Sequence, residues 1–289
     1  MRAPQPTIAA GIPWLLALAA LCAAAVAVAD SHVPSGPEFE EALPEGGSLS
    51  GREIHERFLR NRFRRSVQSM RVVSTDPGGS EQSTSFSLSY EDFRDGNNRP
   101  TDGIKAKTLV EVFAPFDMRH TQYLMISKDP GPDDQFVYQP SQRKVKRVDL
   151  RRTPLMGTDY TFDDVAFHDI DEAEYVRLPD EQIEGTPVYV VEAFINDTLD
   201  VEYHRTVSYL EQEHYVPLRV RYWDAYGVEM KELTAPHAHL REFDGTWIAT
   251  KSTMHDLLQR TSSTLYVIDM DTQPTFGTQR FTVSAMASA

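Results

Sequence analysis

From Thr84 to Asp269 the chain repeats one pattern: short runs with side chains alternating apolar and polar, separated by turn residues. TSFSLSY (84–90) sets Phe86, Leu88 and Tyr90 on one face. Further strands are expected at 105–114, 120–127, 135–140 and 143–150. After a mixed segment they resume at 174–178, 187–195, 205–212, 216–224, 228–235, 239–244, 247–256 and 262–269. Asp76-Pro77-Gly78-Gly79, Asp129-Pro130-Gly131, Tyr226-Gly227 and Asp244-Gly245 supply turns between them. Short strands at regular spacing predict an antiparallel meander. In VPLRVRYWD, Val216, Leu218, Val220 and Tyr222 are expected on one face and Arg219 and Arg221 on the other. Such a sheet is covered on one side and wet on the other. A transmembrane barrel is disfavoured. Its lipid face would have to accept charges at Lys105, Lys107, Lys144, Lys146, Arg219, Arg221, Glu229 and Lys231.

The first residues point to export. Arg2 precedes an apolar run from Ile8 to Val28 that closes on Ala27-Val28-Ala29, the small-x-small pattern of a signal-peptidase site. A signal peptide over 1–29, cut after Ala29, is therefore expected. A retained anchor is the alternative, and Pro13 interrupts the run. Cys22, the only cysteine, follows Leu21 rather than a small residue, so it lacks a lipid-attachment context. Without Cys22 the chain holds no disulfide, thiol or cysteine–metal chemistry. The net charge is −14 at pH 7. That acidity disfavours nucleic acid and anionic membrane as partners.

Residues 30–50 are rich in Pro, Gly and Glu and are expected to be a flexible lead-in. A single domain over 51–289 follows. In GREIHERFLRNRFRRSVQSMRV, Ile54, Phe58, Phe63, Val67 and Met70 recur near helical spacing, with Ser48 or Ser50 as the cap. Arg57, Arg60, Arg62, Arg64 and Arg65 are expected to form a solvated face of that helix, with an acidic partner or lipid headgroups as the alternative.

The stretch PLMGTDYTFDDV (154–165) raises the question of a metal or catalytic site. Thr161 and Asp164 stand at the spacing of a capping box, so a loop and a short capped helix are expected. The ligand spacing of a calcium loop is absent. No nucleophile elbow, zinc helix, P-loop or dinucleotide fingerprint occurs. His237 and His239 would share a strand face but lack an evident third ligand. Glu111 and Glu192 lie within apolar strands and are expected at edge or outward positions. No metal, cofactor or catalytic residue is assigned, and the chain is read as a binder rather than an enzyme.

At this point the chain resembles the LolA-like family of periplasmic proteins, often labelled outer membrane lipoprotein-sorting proteins. EVFAPFDMRHTQYLMIS (111–127) resembles the family's F..P...RGT.YL. FVYQPSQRKVKRVDLRRTPLMGTDYTFDDV (136–165) resembles its segment ending in MGTDFTYED, the most specific part. GTPVYVVEA (185–193) and VPLRVRYWDAYGVEMKEL (216–233) also match. Phe136 stands for the family's usual Trp, His120 replaces the glycine of R-G-T, and the loops at 91–103 and 128–135 are longer than usual.

The resemblance implies a mainly β (α+β) fold: a strongly curved antiparallel sheet, an unclosed half-barrel, with helices packed in its concave face. It implies an apolar cavity for lipid or lipoprotein acyl chains, located in the periplasm. Cavity candidates are Phe86, Leu88, Tyr90, Val110, Val112, Tyr123, Met125, Val220, Tyr222 and Met230. Met156, Gly157, Thr158, Asp159, Thr161 and Asp164 belong to the lid region. The alternative is a non-catalytic sensor or adaptor, with its long acidic loops recognising an inner-membrane transporter of the resistance-nodulation-division (RND) type or an anti-sigma factor. A monomer is expected.

Overall fold

Ser50 starts the first helix, α1 (Gly51–Arg60), by a reciprocal capping box. Ser50 Oγ accepts from the Glu53 amide at 3.2 Å, and the Glu53 carboxylate accepts from the Ser50 amide at 2.9 Å. The computed structural model describes residues 48–95, 99–150, 152–164, 169–196 and 202–286. The chain divides into two units, 1–40 and 41–289, and the account below is of the second. The expected signal peptide, its cut after Ala29 and the lead-in as far as Gly47 lie outside the described residues.

The helix ends ten residues earlier than its apolar spacing predicts. Asn61 is its C-cap, and β1 (Arg65–Thr75) begins where helix was expected to run on through Met70. The local sequence explains the correction. Val72 and Val73 are β-branched, Ser and Thr surround them, and Ser66, Met70 and Val72 are buried at even spacing. Both sides of β1 find partners: β2 (Glu81–Asp92) on one and β15 (Thr261–Asp271) on the other. Sheet pairing overrides a helical coincidence of Phe63, Val67 and Met70.

The other strands are β3 (Ile104–Ala114), β4 (Gln122–Lys128), β5 (Asp134–Gln139), β6 (Lys144–Arg147), β7 (Ala173–Ile183), β8 (Thr186–Ile195), β9 (Arg205–Glu211), β10 (Pro217–Trp223), β11 (Glu229–Thr234), β12 (Leu240–Phe243), β13 (Thr246–Ala249) and β14 (Lys251–Asp256). Thirteen of them form one antiparallel sheet in the order β6-β5-β4-β3-β2-β1-β15-β14-β11-β10-β9-β8-β7. It is curved and does not close, and β6 and β7 are its edge strands. Both edges resist further pairing: β6 has four residues including two lysines, and β7 carries Pro179 and Asp180. The last strand, β15, lies beside the first and joins two meanders. Strands β12 and β13 form a separate hairpin.

Two layers cover the inner face. Over one half, Leu150, Leu155, Met156, Tyr160 and Phe162 pack on Met70, Val72, Phe86, Val110, Val112, Met125 and Met254. Over the other, Ile54 of α1 is fully buried on Val191 and Leu210. The outer face is covered as well. Phe281 and Met286, the latter in the short helix α2 (Val283–Met286), pack on Leu109, Leu124 and Tyr138. The hairpin sets Leu240, Trp247 and Ala249 against Val188, Val190, Val207 and Tyr209.

A bulge between Pro217 and Arg219 corrects the face expected for β10. Val216 and Leu218 join the outer cluster, whereas Val220 and Tyr222 face inward. One extra residue reverses the alternation within a single strand.

Candidate functional site

Between α1 and the inner face of β8–β11 lies a cavity of about 310 Å³. This is at the small end of the ~300–1,000 Å³ common for ligand pockets. His55, Phe58, Leu59 and Asn61 of α1 and its C-cap form the roof. Ala193, Ile195, Thr206, Ser208, Val220, Tyr222 and Leu233 form the sheet side. Tyr175, Tyr203, Glu172, Asp163 and Asp164 complete the lining. The lining is mainly apolar and aromatic.

The roof is held tightly. Gly51 lies so close to β7 that an added Cβ would stand 2.7 Å from the Arg177 amide nitrogen. Arg177 Nη1 donates to the Leu49 carbonyl at 2.8 Å, and Arg57 Nη1 donates to the Tyr215 hydroxyl at 2.6 Å. Arg52 pairs with Asp171 at 2.5 Å. His55 stacks on Tyr175 with ring centroids 4.4 Å apart. At the helix end, the Asn61 side chain bonds both the amide and the carbonyl of Trp247.

The polar end of the cavity is a short chain of hydrogen bonds. Asp164 Oδ2 accepts from the Thr161 amide at 2.6 Å, from Thr161 Oγ1 at 3.0 Å and from the Tyr203 hydroxyl at 3.4 Å. Lys231 Nζ donates to the same Tyr203 hydroxyl at 2.9 Å and stands 3.8 Å from Glu202. Burial raises the Asp164 pKa above the usual carboxylate range, opposed by Lys231 and the Thr161 bonds. Burial also drives the Tyr203 and Tyr222 phenols upward, so both keep their protons near neutrality.

The PLMGTDYTFDDV stretch spends its chemistry on holding a cover over the sheet. Met156 and Gly157 turn the chain with φ of 53° and 75°, the second being a conformation glycine adopts freely. Thr158 Oγ1 closes that turn on the Leu155 carbonyl at 2.8 Å. Asp159 grips Thr261 and Ser263 of β15, and the Tyr160 hydroxyl meets Ser252 at 2.9 Å. The capping-box bonds of Thr161 and Asp164 are present about a turn at 162–164. The expected helix beyond them falls on 165–168, outside the described residues.

The expected cavity residues divide. Val220 and Tyr222 line the cavity. Phe86, Val110, Val112 and Met125 are buried beneath the 150–162 cover, with Leu88 and Tyr123 packed beside them. Tyr90 is buried too, with its hydroxyl 3.4 Å from Arg94. Met230 is not among the lining residues, and its carbonyl accepts from the Leu257 amide at 2.8 Å. Sequence reasoning missed Phe58, Leu59, Tyr175, Ile195, Tyr203 and Leu233. Phe58 and Leu59 sit at neighbouring positions of an amphipathic helix, a usable signal. Tyr203 follows no regular pattern.

Other charged residues are spent inside the fold. The arginine cluster is no single solvated helix face. Arg62 pairs with Asp92 at 2.7 Å, Arg64 bonds the Arg94 carbonyl, and Arg65 pairs with Glu91 at 3.4 Å. Glu192 lies on the outer face, opposite Val207, and is buried there against Arg205 at 2.5 Å, and Glu111 pairs with Arg280. Lys231 is buried on the inner face, contrary to the polar alternation expected of it. His237 and His239 lie in a 3₁₀ turn, not a strand. Among the described residues no group of three potential metal ligands converges.

A family model described as "Uncharacterized protein" matches residues 105–288, more than half of the chain. No curated protein matches it in sequence. Among solved structures, an outer membrane lipoprotein-sorting protein domain from Vibrio parahaemolyticus is similar at 25% identity and a TM-score of 0.72, over 82% of this chain and 98% of that one. A DUF1329 family protein from Desulfovibrio piger is similar at 20% identity and a TM-score of 0.74, over 82% and 97%. A LolA superfamily protein from Nitrosomonas europaea has 17% identity and a TM-score of 0.64, over 82% and 100%.

Proposed function

The chain belongs to the family matched over residues 105–288 and has a LolA-like fold, and from that premise we propose that it is an exported, periplasmic carrier or binder of lipid or lipoprotein acyl chains. The observation that carries this reading is the apolar cavity between α1 and β8–β11. Each methylene moved from water into such a wall gains about 0.8 kcal/mol. A segment of ten methylenes thus gains about 8 kcal/mol before the cost of immobilising it. Binding of this kind uses no catalytic group. The helix roof and the 150–162 cover are separate pieces laid on one open sheet, so cargo can enter without unfolding it.

The test is mass spectrometry of residues 30–289 exported in a bacterial host, under native and then lipid-extracting conditions. A stoichiometric adduct that releases an acyl lipid is the expected result. A clean apo mass, with no uptake of any apolar probe, would reject the carrier reading.

One feature favours a second reading, docking to an envelope protein such as an RND-type transporter or an anti-sigma factor. Tyr226 is 92% exposed, and Val228, Leu257 and Leu258 are exposed on the adjoining tips of the β10–β11 and β14–β15 hairpins. Photo-crosslinking from position 226 in intact cells tests it, and the absence of any crosslinked envelope protein would reject it.

A further inference from the structure

We propose that the cavity selects amphiphiles whose polar end is a hydrogen-bond donor, a hydroxyl or an amine, which is received by Asp164 Oδ1. This deepens the carrier reading and rests on it. Asp164 Oδ2 takes every donor that the described residues bring to this carboxylate: the Thr161 amide, Thr161 Oγ1 and the Tyr203 hydroxyl. Oδ1 has almost no accessible surface and has no hydrogen-bond partner among the described residues. A buried acceptor left unmade costs about 1–3 kcal/mol, and this one belongs to a residue that lines an apolar cavity. An incoming O–H or N–H that shifts the cavity wall enough to reach Oδ1 removes that cost.

The charges around the cavity set the sign of the preference. Asp163, Asp164 and Glu172 are its acids, and no Lys or Arg stands among its described lining residues. The nearby ammonium, Lys231, is turned to the Tyr203 hydroxyl and Glu202. Because Tyr203 accepts from Lys231, its own proton is directed at Asp164 Oδ2, so the carboxylate is balanced from behind. A fatty-acid carboxylate would meet like charge in a low-dielectric wall and bring no donor. A site built to bond an OH or NH rejects analogues that lack it.

The experiment is competition against the neutral fluorophore N-phenyl-1-naphthylamine at pH 7.5, using 1-decanol, decylamine and decanoate. On the wild-type protein, decanol and decylamine should displace the fluorophore at concentrations about tenfold below decanoate, the value of one buried hydrogen bond. Asp164→Asn keeps an acceptor for Thr161 while offering the cavity an amide donor and no charge. It should narrow the ratio to about threefold or less, whereas Asp117→Asn, in an exposed turn outside the cavity lining, should leave it in place. Circular dichroism confirms that each variant is folded. Decanoate equal to or better than decanol on the wild type would overturn the inference. So would an Asp164→Asn ratio that does not move, or an Asp117→Asn ratio that falls equally. Failure of all three ligands to displace bound fluorophore would also overturn it. Failure of the fluorophore itself to bind would instead reject the carrier reading.

Discussion

Asp159 and Ser263 hold each other twice: the Ser263 hydroxyl donates to the Asp159 carboxylate at 2.5 Å, and the Asp159 amide donates back to the same hydroxyl at 3.0 Å. Ser263 is fully buried. The pair fastens the 150–162 cover to β15, the central strand that joins the two halves of the sheet. Ser263→Ala should lose about 1–2 kcal/mol of stability in urea unfolding. Asp159→Ala should lose about 2–3 kcal/mol, because Thr261 is released as well. The double variant should lose less than the sum, with a coupling of about 1 kcal/mol or more. Additive losses would show that the clasp is not one.

The most specific stretch of the sequence was therefore legible as a motif but not as a purpose. Local physics assigns Thr161 and Asp164 to a capping box, and they make those bonds. Nothing local says that Asp159 reaches more than a hundred residues along the chain to Ser263. The sheet was legible from alternation alone, because one face of nearly every strand is covered. Alternation fails where the register slips. The bulge at Leu218 moves Val216 and Leu218 outward, and the one between Tyr222 and Trp223 breaks the alternation of β11 beyond Lys231, which lies opposite Tyr222 on the inner face and two residues from Leu233. Those slips are set by cross-strand partners, which a single strand's sequence does not carry. Strand β1 was hidden for the same reason, since its residues fit a helical period until β2 and β15 flank it.

Gly51 should tolerate no side chain. A Cβ there would stand 2.7 Å from one backbone atom of β7 and 2.8 Å from another, and backbone cannot rotate away. Gly51→Ala should destabilise the protein by about 1–3 kcal/mol, as overpacking does. It should also expose α1 to limited proteolysis before the sheet is cut. Wild-type stability with intact protection would show that the helix does not press on β7.

Asp92 should account for part of the acid sensitivity of the fold. Burial disfavours its charge, but bonds from Arg94 and Arg62 outweigh this and hold its pKa below the usual value. A carboxyl whose pKa is depressed in the native state binds fewer protons there than when unfolded. Its contribution is present above the unfolded value of about 3.9 and is lost as pH falls through the native one. Asp92→Asn should cost about 3 kcal/mol at pH 7, leaving two arginines with one neutral partner. That deficit should shrink as pH falls below about 4. A deficit constant from pH 7 to pH 3, read from urea midpoints, would assign the loss to packing instead.

The most direct test of the cavity as the working site is titration of N-phenyl-1-naphthylamine into the wild-type protein and into Val220→Phe. Val220 lines the cavity wall from β10, and a phenyl ring there occupies space that cargo needs. The wild type should show saturable fluorescence enhancement with one site per chain. The variant should bind about tenfold or more weakly, with its thermal midpoint kept or raised, as filling a cavity does. Equal binding by both proteins, or no enhancement with the wild type, would contradict the account.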